Sequence, residues 1–491
     1  MEKNGIISKE LAGAREYEEK QADLITDEMR PAYHFSPRTG WLNDPNGLCQ
    51  FHGEYHVFYQ YSPLDANGSM KAWGHYVSKD LIHWEQLDVA LFPDQEFDRD
   101  GVYSGSAFLK DDRMYLFYTG NVKEPGDVDL TYEGRQANTV LVTSEDGRTF
   151  TEKELLMTNA DYPKNYTCHI RDPKVWEQDG YYYMIQGGRK MMLPEEGADG
   201  NFESTDYGTV LIFQSGDLHD WRFLKDVTTK KRFGYMWECP DYFTVDGQHV
   251  LSVSPQGLPS ENFRYQNVYQ SGYFLLDQGL LDGEPDVAAF HEWDMGFDFY
   301  APQTFCDERG RRILIGWAGI GDAEYDNEPT VRQGWQHCLT LPRQIIYRDG
   351  KLLQQPLEEL KELRGPQLSL NDQTYIAKPV FELELNDFKE DWFVGVGTGI
   401  DAFMLRYSGE VLSFGITEEA GRGRTSRKMK VDAVKNVRMI VDTSMVEIYV
   451  NDGETVITSR FYFRDNNRTI ETRGVQTVKM WYLNGLEVTK A

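Results

Sequence analysis

The chain has 491 residues, too many for one compact core and enough for two or three domains. Its 79 acidic and 51 basic side chains leave a formal net charge of -28, a surface that repels phosphate backbones and anionic membranes, so nucleic acid and membrane are excluded as partners. Five cysteines (Cys49, Cys168, Cys239, Cys306 and Cys338) are scattered without a Cys-x-x-Cys or Cys/His cluster, which excludes a disulfide framework and a structural zinc from the expectation.

The first twenty residues are charged throughout and lack the apolar core of a secretion signal, and no apolar run reaches transmembrane length, so the expected location is cytoplasmic. Residues 7–29 mix helix formers with spaced apolar positions and predict one amphipathic helix, stopped before Pro31 and packed on the outside of the first β-unit. Residues 1–30 are therefore set apart as an N-terminal helical segment. Trp41-Leu-Asn-Asp-Pro-Asn-Gly47 comes next, a turn carrying an acid, with strands after it on either side of a hairpin turn at Gly53. The layout recurs from Tyr103, Arg171, Glu238 and Tyr300, giving five copies about 60–70 residues apart. A second repeat, a Ser-x-Asp turn and then an aromatic-bearing strand, starts at Ser78, Ser144 and Ser215 and interleaves with the first. Radial repetition is the architecture that accommodates such units with only short strand edges, so residues 31–350 are expected to form a five-bladed β-propeller.

Polar, glycine-bearing insertions at 124–136 and 193–206 are expected as surface loops at the rim of a pocket or toward a neighbouring subunit, so a homodimer is compatible with the sequence though nothing demands one. Residues 351–368 read as a helical linker ended by Gly365-Pro366. From 369 to 491 the chain turns to short strands with hairpin turns, Asn451-Asp-Gly453 the clearest, and a β-sandwich of about 120 residues fits that spacing. The expected fold class is all-β: a five-bladed propeller, a C-terminal sandwich and a short N-terminal helix.

Three copies open with a carboxylate near the same place: Asp44, Asp172 and Glu238. Taken singly, Asp44 is good turn material and Asp172 has Arg171 as a local ion-pair partner. Glu238 is flanked by Trp237, Cys239 and Pro240, an apolar setting in which a carboxylate must be paired or protonated. Radial repetition would bring all three acids into one pocket. Two carboxyl groups across a glycosidic bond are the equipment of glycoside hydrolysis, with Glu238 the better acid by its flanks and Asp44 the better nucleophile.

The motifs WLNDPNG (41–47), AWGH (72–75), YSGSA (103–107), RDPK (171–174), WECPD (237–241), SPQG (254–257), FYAPQ (299–303) and GWAG (316–319) together resemble glycoside hydrolase family 32, the five-bladed fructosidases. Residues 436–453 resemble that family's C-terminal sandwich. The resemblance implies that Asp44 attacks the anomeric C2 of a fructosyl unit, that Glu238 is the acid/base, and that Asp172 stabilises the oxocarbenium-like transition state. It also implies that Arg171 orients Asp172 and Glu238, and that Asn43, Gln60, Trp73, Tyr103 and Ser104 hold the furanose. Trp41 and Trp317 are candidate walls, each weighed against a place in the core; His75 is expected as a structural donor and Cys239 as an S–H neighbour of Glu238. Neither a cofactor nor a metal is implied. The implied partner is a small sugar, sucrose or sucrose 6-phosphate, with Lys71 the candidate phosphate contact. Fructan exo-hydrolysis, fructosyl transfer and a non-catalytic sugar-binding propeller stay open at this stage.

Overall fold

The computed structural model describes residues 8–25, 28–192, 206–370 and 374–490. The chain is mostly β, with a propeller-like arrangement of sheets and then a sandwich-like C-terminal sheet. The helix runs from Lys9 to Ala22, capped by Ser8, whose Oγ accepts from Leu11 N at 3.1 Å. It is shorter than the pattern over 7–29 predicts. Leu11, Ala14 and Glu18 are the positions it buries, and beyond it Ile25 packs near Trp335 instead. The helix lies on the outer strand of the first sheet, where Arg15 Nη2 donates to Val89 O at 2.8 Å and Tyr61 Oη to Glu18 Oε1 at 2.7 Å.

Five sheets lie between residues 40 and 356. The middle three are plain four-stranded meanders; the first is widened to six strands by Trp335–Gln336 and Glu487–Lys490, and the fifth carries Cys338–Leu339 as a short extra strand. The inner strands are Gly40–Phe51, Val102–Lys110, Tyr166–Gln178, Met236–Val245 and Tyr300–Cys306. Each touches the next, and the fifth touches the first. The Ser-x-Asp repeat forms the turn before the outer strand in three sheets. The Oγ of Ser78, Ser144 and Ser215 accepts from the N–H of Leu81, Gly147 and Leu218, all three in the left-handed region.

The predicted linker divides. Lys351–Pro356 is a strand paired with Arg343–Arg348, its Leu352 and Leu353 buried, and only Glu358–Leu363 is helical, as a 3-10 turn. The apolar positions of this stretch serve a sheet edge first and a helical turn second. The predicted loop 193–206 lies, apart from Asp206, outside the described residues.

The C-terminal sheet is organised on Phe381–Thr398, long enough to pair with Asn436–Val441 in its first half and Asp401–Ser408 in its second. It grips the propeller-like part at the segment leading into the fifth inner strand. Met295 N donates to Val456 O at 2.8 Å and Arg460 N to Asp298 Oδ2 at 2.8 Å. Beside this lies a fully buried charge cluster. Arg343 reaches Glu447 Oε2 at 2.9 Å and Asp294 Oδ2 at 3.2 Å, while His34 meets Asp442 at 2.8 Å and Glu447 at 3.2 Å. Carboxylates only accept, so both ring nitrogens of His34 donate and the ring is an imidazolium. Burial opposes that charge, but the hydrogen bonds to Asp442 and Glu447 outweigh it and raise the pKa to about 9. Burial also opposes the charge on Glu447, but Arg343 and His34 hold it down at about 2.

A raised histidine pKa stabilises the fold fully below its unfolded value and is lost as pH rises through about 9. A depressed carboxylate pKa stabilises above the unfolded value and is lost as pH falls toward about 2. The cluster therefore supports the fold most between roughly pH 4.5 and 6.5. Arg343→Met should lower the unfolding free energy by about 3–5 kcal/mol in urea titrations, because it strands Glu447 and Asp294 as buried charges. A loss under about 1 kcal/mol would show the cluster to be energetically idle.

Candidate active site

All five inner strands are interrupted by a β-bulge at the same level. Two residues oppose one at Asn43–Asp44 against Gln60, Tyr103–Ser104 against Thr119, Asp172–Pro173 against Gln186, Cys239–Pro240 against Val253 and Ala301–Pro302 against Gly316. Pro173, Pro240 and Pro302 are bulge residues that carry no N–H for the ladder, and Pro45 follows its bulge directly, opposite Tyr59. The second strand has Gly105 at this step, where a Cβ would stand 1.9 Å from Phe117 O. Asp172, Cys239 and Ala301 take φ of 62°, 46° and 49°, a left-handed conformation that re-aims their side chains. Just past the bulges the axis is closed by polar links. Gly105 N donates to Asn46 Oδ1 at 3.1 Å, Gln303 Nε2 to Gly105 O at 2.9 Å, and Lys174 Nζ to Thr304 O at 2.7 Å.

The three acids meet here, but not as equivalents. Asp44 and Asp172 are bulge residues, whereas Glu238 is the last paired residue before its bulge and Cys239 stands where Asp172 does. Cys239 joins the group: its N–H donates to Asp172 Oδ2 at 2.9 Å, and its Sγ lies 3.7 Å from Asp44 Oδ2. The expected S–H neighbour of Glu238 is thus a neighbour of Asp44. The apolar flanks of Glu238 also do not enclose it. Trp237 is fully buried on the other side of the strand, where its Nε1 donates to Phe233 O at 2.7 Å. The Glu238 carboxylate instead accepts from Arg171 Nη2 at 2.5 Å and Nε at 3.1 Å, from Tyr300 Oη at 2.6 Å and from Gln256 Nε2 at 2.7 Å.

Asp44 accepts from Ser104 Oγ at 2.5 Å and Asn43 Nδ2 at 2.9 Å. Burial pushes its carboxyl above the ordinary range against those donors, with Glu238 adding to the rise and Lys71 opposing it. Burial raises Asp172 to about 7; Arg171 opposes the shift, and Glu238 and Asp44 reinforce it. Arg171 therefore bonds Glu238 and acts on Asp172 only through its field.

Trp41 is half-buried, with Nε1 donating to Asn43 Oδ1 at 2.8 Å and Lys71 Nζ 4.7 Å from its ring centroid, so it is a wall. Trp317 is buried beside it and belongs to the core. Trp73 lies behind the wall rather than on it: it is fully buried between the first two sheets and donates to Tyr103 O at 3.1 Å. Gln60 likewise sits behind Asn43 and accepts its amide N–H. His75 is buried on Phe58, ring centroids 3.8 Å apart, and meets His56 at 3.0 Å, a structural role. Sequence reasoning missed Gln256, Tyr300 and His169 as site residues. Gln256 and Tyr300 fall inside motifs it noted, and His169, two residues before Arg171, shares its side of the strand. Among the described residues, no His/Cys/Asp/Glu group is arranged to hold a metal and no helix is long and apolar enough to cross a membrane.

Residues 34–356 match the glycosyl hydrolases family 32 N-terminal domain, and residues 407–487 match the family 32 C-terminal domain. The chain belongs to glycosyl hydrolase family 32. Among the family's members, a sucrose-6-phosphate hydrolase of Bacillus subtilis (strain 168) is 39% identical over 464 residues, covering 91% of this chain and 92% of its own. The structure of a sucrose-6-phosphate hydrolase from Lactobacillus gasseri superposes with a TM-score of 0.85 at 27% identity, covering 96% of both chains. A mutant GH32 beta-fructofuranosidase of Bombyx mori in complex with sucrose gives 0.82 at 28% identity over 98% of this chain and 100% of that one. Membership makes the chain a glycoside hydrolase.

Asp172 has a folded pKa above its unfolded one, so its contribution to stability is fully present below about pH 4 and is lost as pH rises through about 7. Asp172→Asn, which keeps an acceptor for Cys239 N–H, should therefore raise the melting temperature at pH 8, by a stabilisation on the order of 1 kcal/mol or more. The gain should vanish near pH 4. Equal or lower stability than the parent at pH 8 would contradict a destabilising buried carboxylate.

Proposed function

We propose that the chain is a retaining β-fructofuranosidase that hydrolyses the β-fructofuranosyl bond of sucrose and sucrose 6-phosphate. The observation that carries this reading is the contrast between two carboxylates on one ring of bulges. Asp44 accepts from the neutral donors Ser104 and Asn43 and is bonded to no cation, which suits a nucleophile; Glu238 is fixed in place by Arg171, Tyr300 and Gln256, which suits an acid/base. Relatives named sucrose-6-phosphate hydrolase and a relative solved with sucrose support the substrate class.

In this mechanism Asp44 attacks the anomeric C2 and forms a fructosyl-enzyme. Glu238 protonates the departing glycosidic oxygen and then takes a proton from water, which releases fructose with retained configuration. Asp172, positioned by Cys239 N–H, accepts from fructose hydroxyls and balances the charge that develops on the ring. Glu238 is the general acid in this reading, and burial raises the neighbouring Asp172 to about 7. Trp41 offers a flat wall; Asn43, Tyr103 and Ser104 hold the furanose, and Gln60 and Trp73 brace them from behind. We further take the five sheets as five blades, with residues 31–350 and the closing strand to Pro356 as the catalytic unit and residues 369–491 as a separate sandwich.

Asp44→Ala and Glu238→Gln should each lower hexose release from sucrose by several orders of magnitude while leaving the fold intact by circular dichroism. Nuclear magnetic resonance of the parent enzyme should show β-fructofuranose as the first product. Undiminished turnover by folded Asp44→Ala would sink the nucleophile assignment, and an α product would sink retention.

A further inference from the structure

The acids of the site lie above the polar links that close the axis, from Gly105 to Asn46 and from Gln303 to Gly105. A fructosyl unit held against Asp44 therefore leaves its departing group on the open side, next to Glu238. The residues layered outward from Glu238 are the ones that this group would meet. Tyr300 Oη and Gln256 Nε2 both donate to Glu238 Oε2, at 2.6 and 2.7 Å. Tyr269 packs on the two of them: its backbone bridges to Gln256, and its ring centroid lies 6.0 Å from that of Tyr300. It is half-buried, and its Oη donates to Oδ2 of the exposed Asp322 at 2.7 Å.

Asp322 also lines a cavity of about 370 Å³ together with Trp41, the aromatic wall that bonds Asn43. Trp41 and Tyr300 both pack on Trp317, with ring centroids 5.9 and 6.3 Å away, so the cavity and the Tyr269 stack adjoin. Four carboxylates line that cavity, and three of them are matched by arginines. Asp298 is paired with Arg424 at 2.7 Å, and Asp326 and Glu328 with Arg422 at 3.2 and 3.4 Å. Asp322 is the exception. Its carboxylate has no partner but the Tyr269 phenol among the described residues, which leaves Oδ1 open to a further donor. Its left-handed conformation, φ 55°, is one that Asp adopts in turns, but a turn alone requires no tie to a tyrosine 53 positions away.

We propose that Asp322 is a specificity-determining residue that accepts hydrogen bonds from hydroxyls of the leaving hexose, with Tyr269 as its positioning residue. The proposal rests on the β-fructofuranosidase reading and adds the class of leaving group, a polyhydroxylated ring in preference to a simple alcohol. A carboxylate accepts from two adjacent hydroxyls, and a hydrogen bond to a charged acceptor is worth about tenfold or more in affinity. The same charge repels a phosphate, so a phosphoryl group on the leaving hexose must point away from Asp322.

The test compares kcat/KM for the better of sucrose and sucrose 6-phosphate with kcat/KM for methyl β-D-fructofuranoside, whose leaving group is methanol. The proteins are the parent, Asp322→Ala, Asp322→Asn and Tyr269→Phe. Asp322→Ala should lower kcat/KM on the disaccharide by about tenfold or more, mainly through KM, and leave the methyl fructoside within about twofold. Asp322→Asn and Tyr269→Phe should show smaller losses with the same selectivity. Inhibition by the released hexose should weaken in Asp322→Ala by a similar factor, a readout independent of the methyl fructoside. Three results would overturn the subsite: undiminished disaccharide cleavage by Asp322→Ala, equal losses on both substrates, or unchanged inhibition by the hexose. Equal losses would mark Asp322 as a clamp on its own loop. A parent enzyme that cleaves none of these sugars would instead bring down the β-fructofuranosidase reading, a different and separately visible failure.

Discussion

A proline cannot donate to a β-ladder, and three of the five inner strands place one inside the bulge at the same level of the ring, with a fourth, Pro45, directly after its bulge. The ladder must break there, and the break has two consequences. One extra residue per strand is extruded, and its side chain is turned out of the alternation that would otherwise send it into a core between sheets. Asp172 and Cys239 converge for that reason, Asp44 lies in the bulge before Pro45, and Ser104 joins them from a bulge closed by Gly105 instead of a proline. The left-handed conformation of Cys239 and Ala301, unfavourable for residues with a Cβ, is maintained because the hydrogen bonds just beyond it, from Gly105 to Asn46 and from Gln303 to Gly105, close the axis beneath.

This also explains how far the site could be read in advance. The dipeptides Asp-Pro, Asp-Pro and Cys-Pro record the bulge itself, so the convergence of the strands was legible as a repeated motif. The phase was not. Glu238 looks like the counterpart of Asp44 when acids are aligned, but the hydrogen-bond register makes Cys239 the counterpart of Asp172 and places Glu238 one residue earlier, in line with Arg171. Local composition misled in a related way. Trp237 and Cys239 flank Glu238 in sequence, yet strand alternation sends the tryptophan to the far side, and the carboxylate is met by Tyr300 and Gln256 from other strands. Trp73 shows the reverse error: an aromatic residue in a functional motif acts from behind, through a backbone carbonyl. The strands themselves were visible from periodicity. The division of residues 351–368 between a sheet edge and a 3-10 turn was not, since Leu352, Leu353, Leu360 and Leu363 are all buried and fit either pattern.

The electrostatics of the pocket arise from its construction. Bringing three carboxyl groups to one axis costs stability, visible in the rise of Asp172 to about 7, and one guanidinium offsets part of it. Fully matching the acids with bases would stabilise the fold and tie up the carboxyl group of Asp44, which is bonded to no cation.

The C-terminal sheet contributes to this balance without touching it. Its strand Thr455–Arg460 fixes the backbone of residues 294–298, and the chain from there runs directly into Tyr300, the donor to Glu238 Oε2. His34, held by Asp442 and Glu447, anchors the chain shortly before it enters the first inner strand and Asp44. Tyr300 and Asp44 are thus approached by segments tied to the same buried charge cluster. A shift of that cluster would alter the entry of two adjacent inner strands at once, and an active site of short hydrogen bonds tolerates displacements well under 1 Å. Rigid attachment of the second sheet is therefore a condition on the geometry of the first site, and the fully buried Arg343, His34, Asp442 and Glu447 supply the attachment.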